Sequence, residues 1–242
     1  MVFVLTTDTI HHRYFINKLI FAGIGVDKVY FEETSVISTF KTGPFYEFDT
    51  VHFEREKFFE YDCFKNKENF PLSIKHSCLV WVNNINNDKV LRDLEDESPE
   101  IGIVFGTRKI SKKIIDKFSF GLINVHRGIV DRYKGLDSDL WAIYHDDFNN
   151  IGTTIHMVDE NLDSGNIIQQ KKLILAKDMK VFQLRYYTTL IAVDLIIDAF
   201  RDYNNGILET KKQENDSRYY SFMPLELKKV VDKKFNKYIG KL

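Results

Sequence analysis

The chain has 242 residues, 44% of them hydrophobic, and 34 Lys and Arg against 35 Asp and Glu leave a formal net charge of -1. That length carries a sizeable core, in one domain with an appendage or in two small ones. Balanced charge speaks against a surface that holds a nucleic-acid backbone, and no apolar run approaches the roughly 20 residues of a membrane span.

The start, Met1-Val2-Phe3-Val4-Leu5, lacks the basic lead-in and cleavage site of a signal peptide. Cys63 and Cys78 have neither disulfide nor metal spacing, and read as buried apolar residues or exposed reduced thiols. A cytoplasmic protein is expected. Residues 1–5 form a first strand, followed by a helix over 11–22 with Phe15, Leu19 and Ile20 on one face. Val29-Tyr30-Phe31 fits a second strand. Residues 33–49 read as irregular, with Gly43-Pro44 as a turn. A helix over 50–62 alternates charges with Phe53, Phe58 and Phe59. Residues 78–82 fit a third strand, 88–94 a helix, and the nearly all-apolar run 100–105 a fourth strand. Ser111 is a suitable N-cap for a helix over 111–118, and 121–126 is the fifth strand. A short helix over 138–145, strands over 153–158 and 166–175, and a long helix over 181–203 follow. The stretch 206–242 is lysine-rich, and Lys228, Lys229, Lys233 and Lys234 read as a solvated face. The alternation indicates an α/β protein with a doubly wound, mostly parallel Rossmann-like sheet. Ligands in such sheets bind beyond the carboxyl ends of strands, near a switch in strand order.

Within Gly121-Leu-Ile-Asn-Val-His126, residues two apart share a strand face, so Asn124 and His126 point the same way at the strand's carboxyl end. An amide donates to an oxyanion, and an imidazolium both donates and supplies a proton. The turn Asn161-Leu-Asp-Ser-Gly165 offers a carboxylate, Asp163, which beside an imidazole orients it and accepts a proton in turn. His156 reads as a structural or supporting residue, and His52 and His145 as surface groups; no pair of histidines has metal-ligand spacing.

Gly121-Leu-Ile-Asn-Val-His126, Arg132-Tyr-Lys-Gly135, Trp141-Ala-Ile-Tyr144, Gly152-Thr-Thr-Ile-His156 and Leu162-Asp-Ser-Gly-Asn166 stand in the order that resembles the folate-dependent formyltransferase family, whose members act on glycinamide ribonucleotide, methionyl-tRNA or nucleotide-linked amino sugars. The resemblance is specific over 100–172, loose over 1–99 and nearly absent after 205. It implies a formyltransferase catalytic domain over 1–204 with a C-terminal extension over 205–242 that serves in dimerisation, and it implies a homodimer. It also implies an Asn–His–Asp triad at Asn124, His126 and Asp163, 10-formyltetrahydrofolate as co-substrate, and no metal. The pterin would be gripped mainly by backbone of Gly106, Thr107, Arg108, Lys109 and Ile110 and by the loop containing Asp159 and Leu162. Where the family has Pro-Ser and then Leu-Leu-Pro after the histidine, this chain has Arg127-Gly-Ile-Val-Asp131.

The family's ribonucleotide enzyme has a Gly/Ser/Asn-rich turn after the first strand, whereas this chain has Thr6-Thr-Asp-Thr-Ile10. The tRNA enzyme carries a C-terminal β-barrel and a basic face. The resemblance therefore points to an amino sugar on a nucleotide, such as dTDP-4-amino-4,6-dideoxyglucose, destined for surface polysaccharide (O-antigen). His12, Arg13, Arg127, Arg132, Tyr133 and Trp141 are the candidates for its pyrophosphate, sugar and base. A nucleotide-dependent oxidoreductase would want a Gly-x-Gly-x-x-Gly turn, which the sequence lacks. A catalytically silent folate- or nucleotide-binding protein is the other alternative. The cluster Tyr219, Tyr220, Phe222 and Met223 either covers the chain's own core or joins a partner subunit.

Overall fold

Strand alternation sets the layers. In the first strand Phe3 and Leu5 enter one apolar core and Val4 the opposite one. The computed structural model describes residues 1–34, 38–42, 50–65, 72–214 and 217–242, without the side chains of 50–57. The expected Gly43-Pro44 turn and the side chains of His52 and Phe53 lie outside the described residues. In chain order the elements are β1 (Val2–Thr6), α1 (Ile10–Phe21), β2 (Val26–Glu32), α2 (Thr50–Lys65), β3 (Leu79–Val82), α3 (Asp88–Glu97), β4 (Ile101–Phe105), α4 (Lys112–Ile115), β5 (Gly121–His126), β6 (Tyr133–Gly135), α5 (Ser138–Tyr144), β7 (Gly152–Met157), β8 (Ile167–Lys172), α6 (Leu184–Asn204), β9 (Arg218–Tyr220) and α7 (Leu225–Ile239).

Seven strands make one sheet in the order β3-β2-β1-β4-β5-β7-β8. β3 to β5 run parallel in that order, and β7 and β8 add antiparallel. This is the doubly wound, mostly parallel sheet expected, with its switch in order between β1 and β4. On one face Phe15, Ile16 and Leu19 of α1 and Ile191, Leu195 and Ile196 of α6 pack against Val4, Ile103, Ile123 and Val125. On the other, Val90 and Leu94 of α3 and Ile114 of α4 pack against Phe3, Leu5, Val104 and Leu122. β4 tolerates no side chain at Gly102, where a Cβ would lie 2.0 Å from Leu122 Cδ2.

Several elements depart from the sequence reading, among them β6, a short strand that the residues did not announce. α4 is a single turn rather than a helix over 111–118, because Ser111 makes no side-chain cap and Phe118 turns inward against Phe3. β8 stops at Lys172, since its lysine-bearing end is an exposed sheet edge. The tail forms β9, which pairs in parallel with β6, and α7, which buries Leu225, Val231, Phe235 and Ile239. That stripe joins Tyr133, Leu140, Ile143 and Met223 in a third apolar cluster with Tyr220 packed against it, so Tyr220 and Met223 of the tail's four residues cover the chain's own core, while Tyr219 is exposed. The lysine run is not one solvated face: Lys228 is buried, and Lys234 Nζ donates to Tyr144 O at 2.7 Å, while Lys229 and Lys233 are exposed.

Among the described residues no helix is long and apolar enough to cross a membrane, and no group of three or more His, Cys, Asp or Glu could hold a metal ion.

Candidate active site

A cleft of about 940 Å³ opens where β1, β4 and β5 end, beside the switch in strand order. Asn124 and His126 line it from β5. Asn124 stands directly opposite His156 in the antiparallel register of β5 and β7, and its Nδ2 donates to His156 Nε2 at 3.0 Å. The donor must be Asn124, because His156 Nδ1–H is already given to Met157 O at 2.8 Å and its Nε2 is left as the acceptor. Asn124 Nδ2 also donates to Asp163 Oδ1 at 3.3 Å, so both of its N–H bonds are directed inward.

His126 is buried, and its Nε2 donates to the Tyr133 carbonyl at 2.8 Å, which leaves Nδ1 facing Asp163 Oδ2 at 3.6 Å. The proton that His126 can gain or lose therefore sits on Nδ1. The Arg127-Gly128 departure has a steric reason: a Cβ on residue 128 would lie 2.6 Å from His126 Nε2 and 2.7 Å from Ser138 Cβ. Glycine lets the loop fold back so that Tyr133 fixes the imidazole.

Asp163 occupies the left-handed region at φ 51°, which aspartate tolerates better than most residues. Its Oδ2 accepts from the Gly135 N–H at 2.8 Å, and Oδ1 lies 3.5 Å from His156 Nε2. Burial pushes the carboxyl up, but the His126 and His156 imidazoles and the Gly135 N–H outweigh it and hold the group well below the usual carboxylate range. The turn is built around it. Asp159 Oδ1 accepts from Asn161 N at 2.9 Å and Ser164 Oγ at 2.6 Å. Gly165 is required, since a Cβ there would lie 1.8 Å from Met157 O.

Gly106, Thr107, Arg108, Lys109, Ile110, Asp159 and Leu162 all line the cleft. Residues 106–110 are braced from behind by buried Glu32, whose Oε2 accepts from Arg108 N at 3.2 Å and Oε1 from Arg108 Nε at 2.6 Å and Ile85 N at 2.9 Å. Asn86 adds bonds to Lys109 O at 3.0 Å and from Ser111 N at 2.7 Å. Gly106 has φ 76°, and a Cβ there would lie 2.7 Å from the His12 ring.

The other six candidates separate. Arg127 lines the cleft, with Nη2 paired to Asp139 at 2.6 Å. His12 is buried behind the wall, its Nδ1 2.9 Å from Thr7 O; burial, opposed by that bond, pushes it down to about 3, so it carries no charge for a phosphate. Arg13 forms a two-bonded pair with Asp8, and Arg132 is exposed outside the cleft. Tyr133 is buried, serving His126 through its carbonyl and Asp147 through its hydroxyl. Trp141 stacks on Tyr220 and donates to Ser221 O at 2.9 Å. Residues that the sequence did not single out for the site also line it: Glu32, Gly135, Ser138, Arg185 and, from the tail, Tyr219 and Phe222. The tail's aromatic cluster was the one signal pointing to the last two.

His11 and His12 give a pH prediction. Burial is the largest cause holding both below the ordinary imidazole value, with each other's charge and those of Arg185 and Arg127 contributing for His11. Groups depressed in the fold bind protons more readily in the unfolded chain. Stability is therefore greatest above pH about 6.5 and declines as pH falls below it, where the unfolded chain takes up protons that the folded histidines resist. Denaturant unfolding should show stability declining between pH about 6.5 and 5, and His12→Asn should flatten that slope. A flat wild-type profile over that range would rule the assignment out.

A Rossmann-like sheet with an amide, an imidazole and a carboxylate converging at a strand end is the framework of a group-transfer enzyme. The formyl transferase family profile matches residues 63–189, just over half of the chain, and the chain belongs to that family. It is 30% identical to the methionyl-tRNA formyltransferase of Halothermothrix orenii over 146 residues, 60% of this chain and 46% of that protein. The chain spans about half the length of the curated relatives it matches. Among solved structures it is similar to a 4-N formyltransferase from Francisella tularensis, with TM-score 0.62 and 17% identity over 96% of this chain and 85% of that one. It is also similar to an N-formyltransferase from Helicobacter canadensis in complex with folinic acid and dTDP-3-aminofucose, with TM-score 0.56 and 17% identity over 91% of this chain and 70% of that one.

Proposed function

We propose that the chain is the catalytic part of an N-formyltransferase that moves a formyl group from 10-formyltetrahydrofolate to the amino group of a nucleotide-linked amino sugar. The observation that carries the reaction is the convergence of Asn124, His126 and Asp163 at the end of β5 within one cleft. The folate fits what lines the cleft. Val104, Ile110, Val158 and Leu162 offer apolar surface to a flat ring, and the braced backbone of 106–110 offers polar groups at its edge. Gly106, at φ 76°, lets that wall turn closely over the His12 ring behind it.

Attack of an amine on a formyl carbon develops negative charge on the formyl oxygen and positive charge on the amine nitrogen. Asp163, held ionised, takes the amine proton and hands it to His126 Nδ1, the nitrogen of that ring not bound to a carbonyl. As Asp163 is neutralised, its hold on Asn124 weakens. The longer Asn124 bond, 3.3 Å to Oδ1, is the one released, and that N–H turns to the formyl oxygen. Protonated His126 then supplies the proton for the departing nitrogen.

For the acceptor, Arg127 and Arg185 face the cleft as partners for a pyrophosphate, and Tyr219 and Phe222 as surface for a sugar or base. The aminosugar ligand of the H. canadensis neighbour supports the same class. Methionyl-tRNA is the second reading, favoured by the curated relatives. The experiment is incubation with 10-formyltetrahydrofolate and a panel of nucleotide-linked 3-amino and 4-amino sugars, methionyl-tRNA and glycinamide ribonucleotide. Mass spectrometry should find an aminosugar heavier by one formyl group. Formylated methionyl-tRNA alone would move the acceptor to the second reading, and no formylated product would reject the reaction.

A further inference from the structure

The tail reaches the catalytic turn through one side chain. Two reciprocal 2.8 Å backbone bonds between Ile167 and Lys211 tie the tail to β8, and Glu214 N donates to Asp131 Oδ1 at 3.1 Å. Between these anchors stands Gln213. Its Nε2 donates to Asp163 O and to Gly165 O, both at 2.8 Å. Carbonyl oxygens only accept, so the amide nitrogen must face them and the orientation is fixed. The consequence is unfavourable for the other end of the amide: Gln213 Oε1 is buried without a hydrogen-bond partner among the described residues. Buried polar atoms are nearly always paired, and an exception calls for a reason. The reason lies in the turn. Asp163 is in left-handed backbone, and Gly165 is pressed against Met157 O, so the Asp163–Ser164 and Gly165–Asn166 peptides need an external hold to keep this shape.

We propose that Gln213 is a positioning residue for formyl transfer, gripping the carbonyls of Asp163 and Gly165 so that the Asp163 carboxylate stays aimed at His126 and at the Gly135 N–H. The proposal rests on the catalytic reading of Asp163. It gives the stretch joining α6 to β9 a part in catalysis.

Two variants and two readouts test it. Gln213→Met keeps the volume and removes both donors. It should lower kcat roughly 10- to 100-fold, the scale of a small misplacement of a reacting group, with KM for donor and acceptor within about threefold and a melting temperature close to wild type. Gln213→Glu places a carboxylate against two carbonyls and should be as slow near neutral pH. Once protonated, its hydroxyl donates to one carbonyl, so its kcat relative to Gln213→Met should rise as pH falls from about 7 to 5. A Gln213→Met enzyme with wild-type kcat, a loss confined to KM, or a Glu variant that tracks the Met variant at every pH would each overturn the proposal.

The second readout needs no turnover. In protein carrying 13C-labelled aspartate carboxyls, Asp163 should titrate below the ordinary carboxylate range in wild type and move up towards it in Gln213→Met. An unchanged titration would overturn the proposal. Should wild type formylate none of the acceptors, the reading of the reaction fails, and this titration alone still decides whether Gln213 holds Asp163.

Discussion

Asp163→Asn is expected to lower kcat roughly 10³- to 10⁴-fold, because it removes the group that, in the proposed mechanism, takes the amine proton and holds the adjacent imidazolium. The change is close to isosteric, so its effect is chemical. The Gly135 N–H needs an acceptor at 2.8 Å, which turns the introduced carbonyl oxygen towards it. The introduced NH₂ then meets Asn124 Nδ2, a donor 3.3 Å from the oxygen it replaces. Two donors face each other, Asn124 loses an acceptor, and His126 Nδ1 loses its anion. The wild-type carboxyl lies below its ordinary range, so it stabilises the fold above pH about 4, and that contribution disappears only as pH falls below this value. The variant should therefore be somewhat less stable near neutrality and should approach wild type in acid. Initial rates with saturating donor, beside thermal unfolding at two pH values, test both parts. Activity above a tenth of wild type would remove Asp163 from the proton path.

Asn124→Ala is the second large effect, roughly 10²- to 10³-fold in kcat, the usual cost of deleting one oxyanion donor. Here the amide also has a structural duty. Its loss strips the hydrogen bond from His156 Nε2, which is buried, and one from Asp163 Oδ1. Leaving such acceptors unpaired costs about 1–3 kcal/mol. Stability and rate should fall together in Asn124→Ala. Asn124→Ser, short but hydroxylated, should recover part of the stability and little of the rate. The separation of the two quantities across this pair is the measurement, and full turnover in Asn124→Ala would sink the site.

The sequence revealed most where periodicity and chemistry coincide. Strand period 2 placed Asn124 and His126 on one face, and β5 has the boundaries read from the residues. The apolar runs of β1 and β4 located the strands flanking the switch, hence the cleft. Cations were the weak point. His12 and Arg13 are visible in a sequence as charges, but each is taken up by a group five residues back, Thr7 O and Asp8, through the turn between β1 and α1, whose shape the residues alone do not show. The Arg127-Gly128 departure was visible in the sequence but its reason was not: the missing side chain is what lets Tyr133 O reach His126. The tail was the largest omission. β9 has three residues, too few for any alternation to register, and the α7 stripe includes Lys228, which a hydropathy pattern assigns to solvent. Gln213 carries no sequence signal at all.

The pairing of β6 with β9 also orders events in time. It joins Tyr133 to Arg218, 85 residues further on, while β1, β4 and β5 lie together upstream of both ends of that ladder. A chain leaving the ribosome at about 5–20 residues per second completes the parallel half of the sheet first. The cleft wall at 106–110 can form then, but the turn bearing Asp163 waits for Gln213 and β9 to reach it. Such long-range closure is the slow class of folding event. The nascent protein would therefore have the proposed folate-binding wall before the proposed catalytic carboxylate is held in place, and gain of activity is expected to follow that closure.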